Sequence, residues 1–282
     1  MKWKGREQSG NVEDRRGTGT RRMVAGGTIG TIAIVVIVWL LGGNPEQLIN
    51  SLQAPGTENT AVDSSVIQAE EELSQFASVV LKDTEDIWHL LFSKMGKTYR
   101  EPTLVLFSGS VESACGYSSS ATGPFYCPGD DRVYIDLSFL QELQEKLGAE
   151  GDFAMAYIIA HEVGHHVQNL LGITARLQDL RSQVDESEYN RNLVKLELQA
   201  DFLAGIWAHY AEKTKDILEE GDVEEAINAA SAVGDDRIQM QSQGYIVPDA
   251  FTHGTSEQRK GWFLKGFRTG NLEDGDILYG VN

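Results

Sequence analysis

The sequence predicts an α+β fold, a mostly helical body with a small β-sheet, preceded by one transmembrane helix. Three observations lead there. Met23 to Gly43 is free of charge and rich in Ile, Val and Leu, long enough to cross a bilayer at about 20 residues. Residues 103–137 alternate β-branched and aromatic residues with turn formers. No proline occurs between Gly129 and Val247, and that is where the helices are expected. With 41% hydrophobic and 23% charged residues over 282 positions, the chain buries a real core.

Taken in order, residues 1–22 carry Lys2, Lys4, Arg6, Arg15, Arg16, Arg21 and Arg22 against Glu7, Glu13 and Asp14. They read as a basic cytoplasmic tail, with residues 23–43 as an uncleaved anchor in the lipid bilayer. The run ends Leu41-Gly42-Gly43-Asn44-Pro45, without the small-residue site of a cleaved signal peptide. The excess of basic residues before it predicts a cytoplasmic N-terminus and an extracytoplasmic C-terminal part. Residues 44–65 lack apolar periodicity and read as a flexible tether. Residues 66–282 form the extracytoplasmic domain. Net charge is −18 overall, and the tail is basic, so the body is more acidic still and would repel nucleic-acid phosphates. Outside the cytoplasm Cys115 and Cys127 are expected to pair. The alternative is two unrelated buried thiols.

From Val66 to Met95, Phe76, Val79, Val80, Ile87, Trp88, Leu91 and Phe92 recur at helical spacing. Met95-Gly96-Lys97-Thr98 imitates the end of a phosphate loop, but position 91 is leucine where such a loop needs glycine. Thr103–Phe107 and Arg132–Leu137 read as strands. Gly123-Pro124-Phe125-Tyr126-Cys127-Pro128 reads as an edge piece, where prolines cost little.

A helix opening near Asp152 and stopping near Gly172 contains His161-Glu162-Val163-Gly164-His165. Histidines four apart project from one helical face, a spacing that lets two imidazoles share one Zn²⁺. Glu162 follows the first ligand and is placed to take a proton from water. A catalytic zinc usually needs a third protein ligand. The next helix carries an apolar stripe of Leu193, Leu196, Ala200, Ala204 and Trp207, with Glu197 and Asp201 in or beside it. Carboxylates are rarely buried without partners. Zinc answers for Glu197, and the outer N–H of a liganding histidine answers for Asp201, with an ordinary salt bridge as its alternative.

These residues resemble the gluzincin arrangement of thermolysin-like peptidases, His161-Glu162-Val163-Gly164-His165 followed by Glu197-Leu198-Gln199-Ala200-Asp201. Asn11-Val12-Glu13-Asp14-Arg15-Arg16, Gly123 to Pro128, Val133 to Phe139 and Phe251 to Ser256 extend the likeness. The chain resembles the bacterial neutral zinc metallopeptidases over all but the tether. The resemblance implies a zincin-like, membrane-anchored peptidase acting on polypeptides. His253 resembles the histidine of a T-H-P element in prenyl-protease-type zinc peptidases, with Gly254 in place of the proline. It is expected to donate to the oxyanion or, alternatively, only to brace the helix that Thr255 to Gln258 cap. Tyr157, Tyr189 and Tyr210 compete for the donor role, and Arg259 is expected to pair with an acidic neighbour. Two other readings share the motif, a tethered zinc-binding scaffold without activity and an amidase acting on cell-wall material. The sequence carries no signature of oligomeric state.

Overall fold

In the computed structural model the described residues are 1–16, 64–119, 123–139 and 151–276. The anchor reading of 23–43 and nearly all of the tether lie outside them. Among the described residues no helix is long and apolar enough to cross a membrane.

The fold is α+β. Helix α1 (Ser64–Lys94) begins two residues before the tether was expected to end. Its apolar positions Phe76, Val80, Ile87, Trp88, Leu91 and Phe92 are all buried, so the helical spacing of the sequence is the face that packs. A four-stranded sheet follows in the order β1-β2-β6-β5, made of Val12–Asp14, Thr103–Phe107, Arg132–Asp136 and Phe125–Cys127. β1, β2 and β6 run parallel and β5 is antiparallel to β6. Side chains alternate across a strand, and both faces here are covered. Leu104, Leu106, Val133 and Ile135 join the helical core, whereas Val105, Phe107 and Tyr134 form a smaller cluster with Val111 and Cys127. Val111 comes from the hairpin of β3 (Ser110–Ser113) and β4 (Gly116–Ser119). The Cys115–Cys127 disulfide ties that hairpin to β5, with the Cα atoms 5.8 Å apart.

Further helices among the described residues are α2 (Asp152–Leu170), α3 (Ile173–Leu180), α4 (Glu186–Lys215), α5 (Asp222–Ala232), α6 (Asp235–Gln243) and α7 (Ser256–Thr269). Gly172 stops α2 at φ 75°, as expected. The helix opens at Asp152, as expected. Gly151 is the N-cap, and Asp152 lies inside the first turn, where its carboxylate meets the Met1 amino nitrogen.

The expectation of a separate basic tail is corrected for residues 1–16. They are built into the body, with Val12, Glu13 and Asp14 in register with Leu104, Val105 and Leu106. The Met1 side chain is buried in the helical core, and Trp3 meets Phe76 edge-on at 5.4 Å. The basic side chains serve local ion pairs, Arg6 with Asp83 at 2.6 Å and Arg16 with Asp14 at 2.6 Å. A count of charges cannot distinguish such pairs from a solvated tail.

Candidate metal centre

The site lies where α2 crosses α4. Gly164, within the His161–His165 turn, makes the crossing close: a Cβ there would stand 3.1 Å from the Ala200 carbonyl oxygen and 3.3 Å from its Cα. That closeness brings Glu197 over the histidine face. Its Oε2 lies 3.2 Å from His161 Nε2 and 3.4 Å from His165 Nε2. The three donor atoms lie within 4.8 Å of one another. Ligands at roughly 2.0–2.2 Å from a tetrahedral zinc stand about 3.3–3.5 Å apart, so the donor set fits that ion. His161 is buried, and His165 and Glu197 are partly exposed.

Each imidazole has its other nitrogen engaged, which leaves Nε2 for a metal. His165 Nδ1 pairs with Gln168 Oε1 at 2.8 Å, and His161 Nδ1 with Asp201 Oδ1 at 2.8 Å. Gln168 is in turn fixed by donating to the Leu196 carbonyl at 2.7 Å and to Gln199 Oε1 at 3.0 Å. Asp201 is wholly buried. Arg259 reaches it through Nε at 2.9 Å and Nη2 at 2.9 Å, and the Tyr157 hydroxyl donates to the same carboxylate. Burial raises the pKa of Asp201, but Arg259 and His161 outweigh it and hold the carboxyl at about 2. Burial likewise lowers the pKa of His161, and Asp201 with Glu197 reverses this, pushing it up to about 10. Glu197 is held well below the usual range by the two imidazoles despite its burial. Within the cluster the two imidazoles offset the Glu197 carboxylate, and Arg259 with His161 offsets Asp201.

Glu162 is buried beside the ligands and has no hydrogen-bond or ion-pair partner among the described residues. His253 sits in the loop before α7. Asp235 Oδ2 accepts the backbone N–H groups of Thr252 at 2.8 Å, His253 at 2.6 Å and Gly254 at 3.0 Å, while Oδ1 lies 3.2 Å from His253 Nδ1. Gly254 has φ 92°, and a Cβ there would stand 3.1 Å from Val194 Cγ1 and 3.4 Å from Leu198 Cδ2 on α4. Proline cannot take that φ, which explains the departure from the T-H-P pattern. The loop thus rests on the stretch of α4 that carries Glu197. The hydrogen bond to Asp235 raises the pKa of His253 against the opposing effect of burial, with the Glu197 charge adding to it. The capping box of Thr255 and Gln258 is present as expected.

The other candidates are occupied elsewhere. Tyr157 serves Asp201, the Tyr210 hydroxyl donates to the Gly270 carbonyl at 3.1 Å, and Tyr189 lies under the Arg181 guanidinium. His166 points away from the ligands, to the Tyr126 hydroxyl at 3.0 Å and the Arg100 carbonyl at 2.6 Å. His89 pairs with Glu101, and His209 with the Phe267 carbonyl. Sequence reasoning missed Asp235 and Gln168. Gln168 lies three residues beyond His165, and that helical spacing is the signal that finds it. Asp235 has none, because it lies 18 residues from the loop it shapes.

The protein of Escherichia coli (strain K12) called "Uncharacterized protein YpfJ" is 46% identical over 277 residues, covering 96% of both chains. "Uncharacterized protein Rv2575" of Mycobacterium tuberculosis (strain H37Rv) is 45% identical over 183 residues, covering 61% of both. No solved structure matches. The model of the family described as "Putative neutral zinc metallopeptidase" matches residues 1–278, and the chain belongs to that family.

Proposed function

We propose that the protein is a zinc-dependent endopeptidase with a zincin-like fold. The observation that carries this reading is the convergence of three donors: His161 Nε2 and His165 Nε2 lie 3.2 and 3.4 Å from Glu197 Oε2, and the donor atoms of the three residues lie within 4.8 Å of one another. When bound, the ion supplies a Lewis acid that polarises a carbonyl and makes a water more acidic. Glu162, the unpartnered carboxylate beside the ligands, takes the proton of the attacking water and passes it to the leaving amine. His253, oriented by Asp235, donates to the oxyanion that develops on the scissile carbonyl. Asp201, charged through Arg259, fixes the ring of His161. An extended peptide adds alongside β5, which is an edge strand of the sheet and rests on α2 through Tyr126 and His166.

The disulfide supports an oxidising compartment, and hence an extracytoplasmic place for the folded body. Glu162→Gln tests the chemistry. It should retain zinc and lose chelator-sensitive cleavage of casein. Wild-type rates in that variant would remove Glu162 from the mechanism, and cleavage of murein fragments instead of casein would favour an amidase.

A further inference from the structure

We propose that residues 1–16 and the metal-bearing body lie on the same side of any membrane the chain meets. A single span at 23–43 would separate the two, with the N-terminus in the cytoplasm and the body outside. The contacts forbid that separation. β1 shares a ladder with β2, flanked by the Leu104 N–H to the Asn11 carbonyl at 2.9 Å and the Arg15 N–H to the Leu106 carbonyl at 2.8 Å. Ser9 and Ser78 exchange two hydrogen bonds, from the Ser9 N–H at 3.0 Å and the Ser78 hydroxyl at 3.1 Å.

Glu85 adds a separate argument. It is buried on α1, and its hydrogen-bond partners among the described residues are Ser9 Oγ at 2.6 Å and Asn11 Nδ2 at 2.8 Å. A body that parted from residues 1–16 would lose both of those donors to the Glu85 carboxylate. The same conflict holds if the N-terminal strand comes from a second copy, because a single span would still leave it opposite every body.

The two ends of 17–63 also meet. Arg16 Nη1 donates to the Glu70 carbonyl at 3.0 Å, and Nη2 lies 3.6 Å from Glu71 Oε2. A crossing at 23–43 would need a second crossing before Ser64. The sequence available for it holds Glu46, Glu58, Asp63, Pro45 and Pro55, which suit water and not hydrocarbon.

The test uses the full-length chain in intact spheroplasts. Gln8→Cys and Ser93→Cys place single exposed thiols on either side of the apolar run, and a membrane-impermeant polyethylene glycol maleimide probes each before and after lysis. The expected result is matched behaviour, both thiols labelled before lysis or both only after it. Labelling of Ser93→Cys before lysis with Gln8→Cys protected until lysis overturns the proposal, as does the reverse. A second measurement is independent of labelling. Ser9→Cys combined with Ser78→Cys should form an intramolecular disulfide on mild oxidation of membranes. Failure to cross-link in chains that keep their zinc overturns the proposal too.

Discussion

Asp201 shows how one side chain sets the character of the site. It is buried at the meeting of His161, Arg259 and Tyr157, and Arg259 with His161 makes its charge tolerable. Arg259→Met removes the larger of these compensations, a loss of about 3–5 kcal/mol. In calorimetry this lowers Tm by about 10 °C, at roughly 2–4 °C per kcal/mol for a chain of this size. Adding Asp201→Asn to Arg259→Met should restore part of the loss, and no recovery would contradict the pairing argument. Asp201→Asn alone should weaken zinc binding about 10–100-fold in chelator competition. The pH dependence follows from the same contacts. His161 is raised to about 10 in the metal-free protein, so a proton competes with the ion below that pH. Zinc affinity should therefore climb with pH toward 10, and more gently in Asp201→Asn, where the main cause of the raised pKa is gone. Both imidazoles, Glu197 and Asp201 were legible in the sequence, because helical spacing places them on buried faces and burial demands partners. The contact of Asp201 with the outer nitrogen of His161 was legible too, whereas its pairing with Arg259 in particular was not, since Arg259 arrives from 58 positions away.

The elements matter through how closely they approach. Gly164→Ala puts a methyl 3.1 Å from the Ala200 carbonyl oxygen, so α2 and α4 must part by a few tenths of an ångström. We expect a stability loss of about 1–3 kcal/mol and weaker zinc binding, because the move carries Glu197 away from the imidazoles. Unchanged zinc affinity would show that the crossing does not set the ligand spacing. In the loop before α7, His253→Gln should lower kcat about 10²–10³-fold while zinc content stays at the wild-type level. Asp235→Asn should share the direction of that loss, since it releases the loop that aims His253. The helical spacing of α1, the strands at 103–107 and 132–136, the β5 edge and the capping box were all readable, because each rests on local pattern. β1 was not. Val12, Glu13 and Asp14 contribute one apolar residue followed by two charges, and only the partner strand makes them a strand.

For the whole molecule, the sheet holds what a count of charges does not show: residues 12–14 pair with β2. Arg6 answers Asp83 and Arg16 answers Asp14 within the folded body. The pairing of Arg6 with Asp83, 77 positions away, leaves no trace in local composition. The same scale governs function, because Glu197 reaches the two histidines only through the packing of helices distant in sequence. Metal analysis of the purified full-length chain, wild type beside Glu197→Ala, addresses that convergence most directly. The account predicts one zinc per wild-type chain and a large loss in the variant, with its helical content retained. A full complement of zinc in Glu197→Ala would contradict it.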